Sequence, residues 1–174
     1  MTPVRARMPH APGGMGGPPG EGSALEGVRL ALELEVPTDV RLIGRIVQLV
    51  SRQVRELEFP ANVCSLNVPV ALSEALSNAM LRGNEDDPAK LVRIRVLVDP
   101  TGLVLEISDE GGGFDLDECT QDPTTPANVT REDGRGLFLM RRLMDRVERY
   151  TESHGLGRNV VRLTIKRPPL AGSP

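Results

Sequence analysis

The chain of 174 residues contains no tryptophan, one tyrosine and three phenylalanines. A stacking platform for nucleobases is therefore excluded, and whatever core exists must be aliphatic. A basic excess is also missing: 21 Lys and Arg against 24 Asp and Glu leave a net charge of -3. Nucleic acid and acidic membrane surfaces are poor partners for such a balance. The two cysteines, Cys64 and Cys119, stand far apart and form no CxxC or His/Cys cluster. This speaks against a structural zinc site or a disulfide framework and suits a reducing cytosol. No run of about 18 apolar residues occurs, and no apolar stretch follows Arg5 and Arg7, so neither a membrane span nor a secretory signal is expected.

What is present begins with glycine and proline. Residues 1–27 are rich in both and read as a disordered tail, with too little apolar surface to offset the entropy of ordering. From Arg29 the pattern changes: Leu30, Leu32, Leu34 and Val36 alternate with other residues as a half-buried strand. Asp39 is placed to cap a helix whose apolar positions Leu42, Ile43, Ile46, Val47, Leu49, Val50 and Val54 recur to about Leu57. So broad an apolar face predicts core packing, with room for a subunit contact. A second helix lies between Asn62 and Arg82, with Pro69 in its first turn or at a kink. Two alternating runs joined by Asp99-Pro100-Thr101-Gly102 form an antiparallel hairpin that ends at Asp109. Asp115 to Asp133 shows no periodicity, as expected of a lid or a disordered insertion. A third helix follows, buried through Leu139, Met140, Leu143, Met144 and Val147, and then two closing strands. The folded unit is expected over 28–167, as one domain of ordinary size, with a frayed end at 168–174.

Three stretches carry chemistry. In the second helix Leu72, Ala75, Leu76, Ala79 and Met80 share one stripe, and Glu74, Asn78 and Arg82 form a row on the far side. A solvated face accounts for that row; so does a docking site, because Ala75, Ser77, Ala79 and Gly83 leave space beside it. If phosphates dock there, the Asn78 amide oxygen completes the shell of a Mg²⁺ ion, which prefers oxygen ligands. Glu74 would then accept a proton from an attacking hydroxyl, and Arg82 would reach a phosphate. The strand through Leu103, Leu105 and Ile107 delivers Asp109 to Gly111-Gly112-Gly113. A carboxylate there can accept from an amino group such as that of adenine, and glycines let a flat ligand approach. A turn with a solvated Asp fits the same residues. Finally, Gly134-Arg135-Gly136 opens the third helix, either as a plain helix start or as a phosphate cradle of free N–H groups.

In this order, Glu-x-x-x-Asn, Asp-x-Gly-x-Gly and Gly-x-Gly resemble the nucleotide-binding fold shared by DNA gyrase, the heat-shock chaperone ATPases, histidine kinases and the mismatch-repair ATPases. The phrases Ala-Leu-Ser-Glu-Ala-Leu-Ser-Asn-Ala and Gly-Arg-Gly-Leu-Phe-Leu-Met-Arg-Arg-Leu-Met-Asp resemble the bacterial anti-sigma-factor serine kinases of stress and sporulation control. The resemblance implies an α/β two-layer sandwich of the Bergerat ATP-binding type, with helices on one face of a mixed, mostly antiparallel sheet. It implies that Asp109 reads adenine, that Gly111 and Gly113 open the base pocket, and that Asn78 holds Mg²⁺ while Glu74 acts as general base. Gly134, Gly136, Arg135 and Arg82 would contact the phosphates of ATP.

The implied reaction is phosphorylation of a Ser or Thr on a small anti-sigma-factor antagonist, in the cytoplasm. A sigma factor is implied as a second partner and a homodimer as the working state. A non-catalytic ATP-binding regulator that sequesters a sigma factor is the alternative. Two departures from the family stand out: Arg82 occupies a position where His is frequent, and the last strand reads Gly157-Arg158-Asn159 where the wider superfamily often has a Thr. The second puts only a minor contact in doubt. Self-phosphorylation on histidine is not expected, because His10 lies in the tail and His154 near a turn.

Overall fold

A computed structural model of the protein describes residues 5–7, 29–112, 135–152 and 157–167. Six strands, β1 (Arg5–Arg7), β2 (Arg29–Pro37), β3 (Leu91–Asp99), β4 (Gly102–Asp109), β5 (Arg146–Thr151) and β6 (Asn159–Lys166), form one sheet in the order β1-β2-β3-β4-β6-β5. Every pairing among them is antiparallel, which takes the expected mostly antiparallel sheet to its limit. Three helices, α1 (Ile43–Glu56), α2 (Val68–Ser77) and α3 (Arg135–Leu143), complete the α/β architecture.

The strict alternation of β2 and β3 explains the layering. Leu32, Leu34 and Val36, with Val92, Ile94 and Val96, are buried on one face. They meet Ile46, Val50 and Val54 of α1, Leu72 and Leu76 of α2, and Met140 of α3 in a single cluster. Burial of this aliphatic surface drives the two layers together at about 25 cal/mol per Å². Phe59 is the one aromatic residue in the cluster. Leu49, counted with the apolar face of α1, stays 46% exposed.

Local signals set the helix ends. The Asp39 carboxylate accepts from Arg41 N at 3.0 Å and caps the 3₁₀ turn Val40–Leu42 that runs into α1. Glu58, at φ 59°, turns the chain out of α1 ahead of Phe59-Pro60. The second helix is a composite rather than one regular α-helix. A π turn at Val63–Asn67 precedes α2 and another, Asn78–Gly83, follows it. Pro69 lies in the first turn of α2 and has no N–H to donate, so a wider turn before it avoids the clash of a proline inside a helix.

Two expectations are modified. Arg5–Arg7, placed by sequence in a disordered tail, pairs with the edge of β2, with Arg5 opposite Glu35 and Arg7 opposite Glu33. This tripeptide contains neither Gly nor Pro, and β2 offers it an open edge. The row Glu74, Asn78, Arg82 assumed an α-helical period to its end; the π turn from Asn78 changes that period before Arg82. The proposed lid at 115–133, Gly113, Gly134 and the C-terminal 168–174 lie outside the described residues.

On the sheet face away from the helices, charged side chains cover one another. Glu106, 3% exposed, accepts from Arg162 Nη2 at 2.6 Å, Tyr150 Oη at 2.9 Å and Arg95 Nη1 at 3.2 Å. Arg158 bridges Glu35 at 3.0 Å and Glu110 at 2.8 Å, and Arg93 pairs with Glu152.

Candidate functional site

Asp109 ends β4 facing the helices, and only 1% of it is exposed. Its Oδ1 accepts from the Gly111 N–H at 3.0 Å and from Asn159 Nδ2 at 3.2 Å. Burial raises its pKa, since a low-dielectric site disfavours the charged form; those two hydrogen bonds and the charges of Arg149 and Lys90 oppose the rise without cancelling it. A buried carboxylate at a strand end, held by two donors, is a fixed acceptor with a defined direction.

Glycine is required around it by space. A Cβ on Gly83 would lie 2.7 Å from both Asp109 carboxylate oxygens, and one on Gly111 would lie 2.9 Å from Gly83 Cα and closer still to its carbonyl. The π turn thus rests its backbone directly on the Asp109 carboxylate and on the glycine run that follows β4. Asn84, fully buried, secures this junction. Its Oδ1 accepts from Glu110 N at 2.7 Å, while Nδ2 donates to Thr38 Oγ1 at 2.8 Å and to Leu91 O at 3.1 Å.

Three of these groups lie outside the chemistry the sequence motifs point to. Asn159, expected to affect only a minor contact, clamps Asp109 and also donates to Gly111 O at 2.5 Å. Asn84 carries no signal in the sequence, and Gly83 reads there only as a small neighbour of the row Glu74, Asn78, Arg82. The departure over Gly157-Arg158-Asn159 is a signal for the first. For the others nothing short of strand register indicates the contact.

The other end of the site lies on α2. Leu72, Ala75, Leu76, Ala79 and Met80 are buried as the spacing predicts, which leaves Glu74 and Asn78 half-buried one turn apart. The Glu74 side chain lies along Gly136 in the first turn of α3: a Cβ there would stand 3.3 Å from Glu74 Cδ, 3.6 Å from its Cβ and nearer still to Oε2. Asn67 Nδ2 donates to Leu143 O at 2.7 Å and ties the far end of α3 to the same helical run. Arg82 is exposed on the π turn beside Gly83. Arg135 opens α3.

The structure therefore brings together Asp109 with Gly111 at one end and Glu74 with Gly136 at the other, with Asn78 between them. From Glu74 to Gly83 the helical run covers roughly 13 Å at about 1.5 Å per residue. That spacing suits an extended nucleoside triphosphate, with its base at Asp109 and its phosphates at the N-terminus of α3. No group of three or more His, Cys, Asp or Glu able to hold a metal ion occurs among the described residues. A Mg²⁺ that takes one amide oxygen, phosphate oxygens and water fits Asn78. No helix among the described residues is long and apolar enough to cross a membrane.

Residues 36–165 match the histidine kinase-like ATPase domain family. Among curated proteins, the serine-protein kinase RsbW of Bacillus subtilis is 32% identical over 121 residues, covering 67% of this chain and 75% of its own. RsbW of Oceanobacillus iheyensis is 29% identical, with 67% and 77% covered. The anti-sigma F factor of Bacillus cytotoxicus is 37% identical over 82 residues, 47% of this chain and 56% of its own length. The family match over 36–165 contains both ends of the site, from Glu74 to Asn159. The chain belongs to the histidine kinase-like ATPase family, in the branch of the serine-protein kinases and anti-sigma factors.

Proposed function

We propose that the protein is an ATP-dependent serine/threonine protein kinase that phosphorylates a small anti-sigma-factor antagonist. The observation that carries this reading is a single helical run whose C-terminal end rests on Asp109 at Gly83 and whose Glu74, in the middle of α2, lies against Gly136 at the start of α3. Asp109 accepts from the adenine amino group, and the bare backbone of Gly83 and Gly111 lets the base lie close. The phosphates extend past Asn78 toward the start of α3, where N–H groups and the helix dipole favour negative charge. Gly113, Gly134, Arg135 and Arg82 are assigned to the same nucleotide on the resemblance of their motifs. A Mg²⁺ held through Asn78 would neutralise charge on the phosphates.

Glu74 takes the proton of the target Ser or Thr hydroxyl as its oxygen bonds to Pγ. The bond from Pγ to the bridging oxygen breaks and ADP leaves with that electron pair. Such transfer depends on positioning and charge stabilisation more than on covalent chemistry from the protein. RsbW is named a serine-protein kinase and its relatives anti-sigma factors. By that likeness a sigma factor is the second partner, the cytoplasm is the compartment, and a homodimer is the working state.

Incubation with γ-labelled ATP and Mg²⁺, alone and with antagonist proteins from the same genome, tests the proposal. Label on one antagonist Ser or Thr, lost in Glu74→Ala, is the expected result. ATP binding without transfer would replace the kinase with a sequestering regulator, and absence of ATP binding would overturn both readings.

A further inference from the structure

We infer that Gly136 is a positioning residue for Glu74: its missing side chain is the space in which the general base is held. The inference rests on the proposed role of Glu74 and assigns Gly136 a task other than touching phosphate. Gly136 is the second residue of α3, and its φ is not among the positive ones. Its backbone is therefore open to any residue, and glycine is among the poorest helix formers. Helix geometry supplies no reason for glycine here. The direction in which its Cβ would point supplies one, because that vector runs into the Glu74 carboxylate and along its stem to Cβ.

The contact joins two elements that are otherwise fixed. α2 is buried through Ala71, Leu72, Ala75 and Leu76, and α3 is held at its other end by Asn67 on Leu143 O. Between them Glu74 has a long, flexible side chain beside a surface of bare backbone. Its carboxylate is confined on one side by Gly136. A methyl group at 136 would meet the far end of this flexible chain rather than backbone, so the fold yields by turning the carboxylate aside. Displacement of about 1 Å is enough to cost a base up to 10²-fold in rate, because proton transfer needs hydrogen-bond geometry.

Gly136→Ala tests this in two backgrounds, wild type and Glu74→Ala. In the wild type the phosphoryl-transfer rate from γ-labelled ATP to the antagonist should fall at least about tenfold, with the ATP Kd changed less than about threefold. A Gly136 that serves only as a phosphate contact gives the opposite split, weak ATP binding with the bound complex turning over normally, and would overturn the inference. A second readout needs no activity. In Glu74→Ala the obstacle is gone, so Gly136→Ala should raise Tm by a few degrees through helix propensity, a gain absent in the wild type. Equal Tm changes in the two backgrounds would also overturn it. Absence of transfer by the wild type would refute the kinase reading, while the Tm cycle would still report on the Gly136–Glu74 contact.

Discussion

Asn159 donates its side-chain amide to Asp109 Oδ1 at 3.2 Å, across the first register pair of β6 and the last of β4. The same amide reaches Gly111 O at 2.5 Å, so one side chain fixes both the acceptor and the glycine beside it. Asn159 Oδ1 in turn lies 3.4 Å from Arg149 Nη2 and Thr151 Oγ1 on β5. Asn159, Arg149 and Thr151, on two strands, thereby define where the carboxylate points.

Asn159→Ala should weaken ATP binding about tenfold, the worth of one hydrogen bond to a charged group at the low end of its range. Asn159→Thr should recover part of the loss, since a hydroxyl can serve Asp109 but is too short to serve Gly111 as well. Titration with a fluorescent ATP analogue measures both; an unchanged Kd for the Ala variant would remove Asn159 from the site.

Asp109→Asn should weaken ATP binding by about 10- to 100-fold, because a charged acceptor is replaced by a neutral one. The raised pKa of Asp109, caused first by burial, adds a pH signature. ATP affinity should fall as pH drops toward the raised value, earlier than an ordinary carboxylate near 3.8 would dictate. The linkage to stability has the opposite sense. The native state holds this proton more tightly than the unfolded chain, so stability decreases as pH rises from 3.8 through the raised value, and the deficit persists at neutral pH. Asp109→Asn keeps Oδ1 as an acceptor without a charge to bury, so its nucleotide-free Tm at neutral pH should equal or exceed that of the wild type. A markedly lower Tm would contradict the assignment.

Gly83→Ala should cost about 1–3 kcal/mol of stability and most of the ATP affinity, because the new methyl meets a carboxylate already held by two donors. Gly111→Ala should cost more, since the obstacle is the backbone of Gly83. Urea unfolding of both variants ranks them; equal and negligible losses would show that the junction is loose.

Glu106→Ala, on the opposite face of the sheet, should cost about 2 kcal/mol. This is less than for an enclosed ion pair, because Arg162 and Arg95 are 38% and 34% exposed and regain water. ATP affinity should not change. Burial alone would raise the pKa of Glu106, but Arg162, Tyr150 and Arg95 together hold it below 4.5. Its contribution is therefore complete above about pH 4.5 and lost as pH falls through the depressed value, so wild type and variant should converge in acid. A stability difference that persists undiminished there would point to packing rather than charge.

The strands from β2 on and the core faces of the first two helices were legible in the residues themselves, whereas the third helix stops at Leu143, so Val147 falls in β5 and Leu139 stays 39% exposed. Leu32, Leu34 and Val36 alternate and are buried, and the stripe from Leu72 to Met80 packs as its spacing demands. These features depend on neighbours within a few positions, where backbone period and hydrophobic contrast act directly. The row through Arg82 was misjudged because the π turn at Asn78–Gly83 follows from how the helix end settles on β4.

The sequence by itself therefore determined the order of strands and helices from Arg29 on, the aliphatic core and the presence of a carboxylate at one strand end. Tertiary structure alone decided which groups surround that carboxylate and the base. Gly83 meets Asp109, Asn159 clamps it from 50 positions away, and Gly136 opens space for Glu74 across two helices. Such contacts are set by strand register and by the approach of one backbone to another, and no local pattern of residues encodes either.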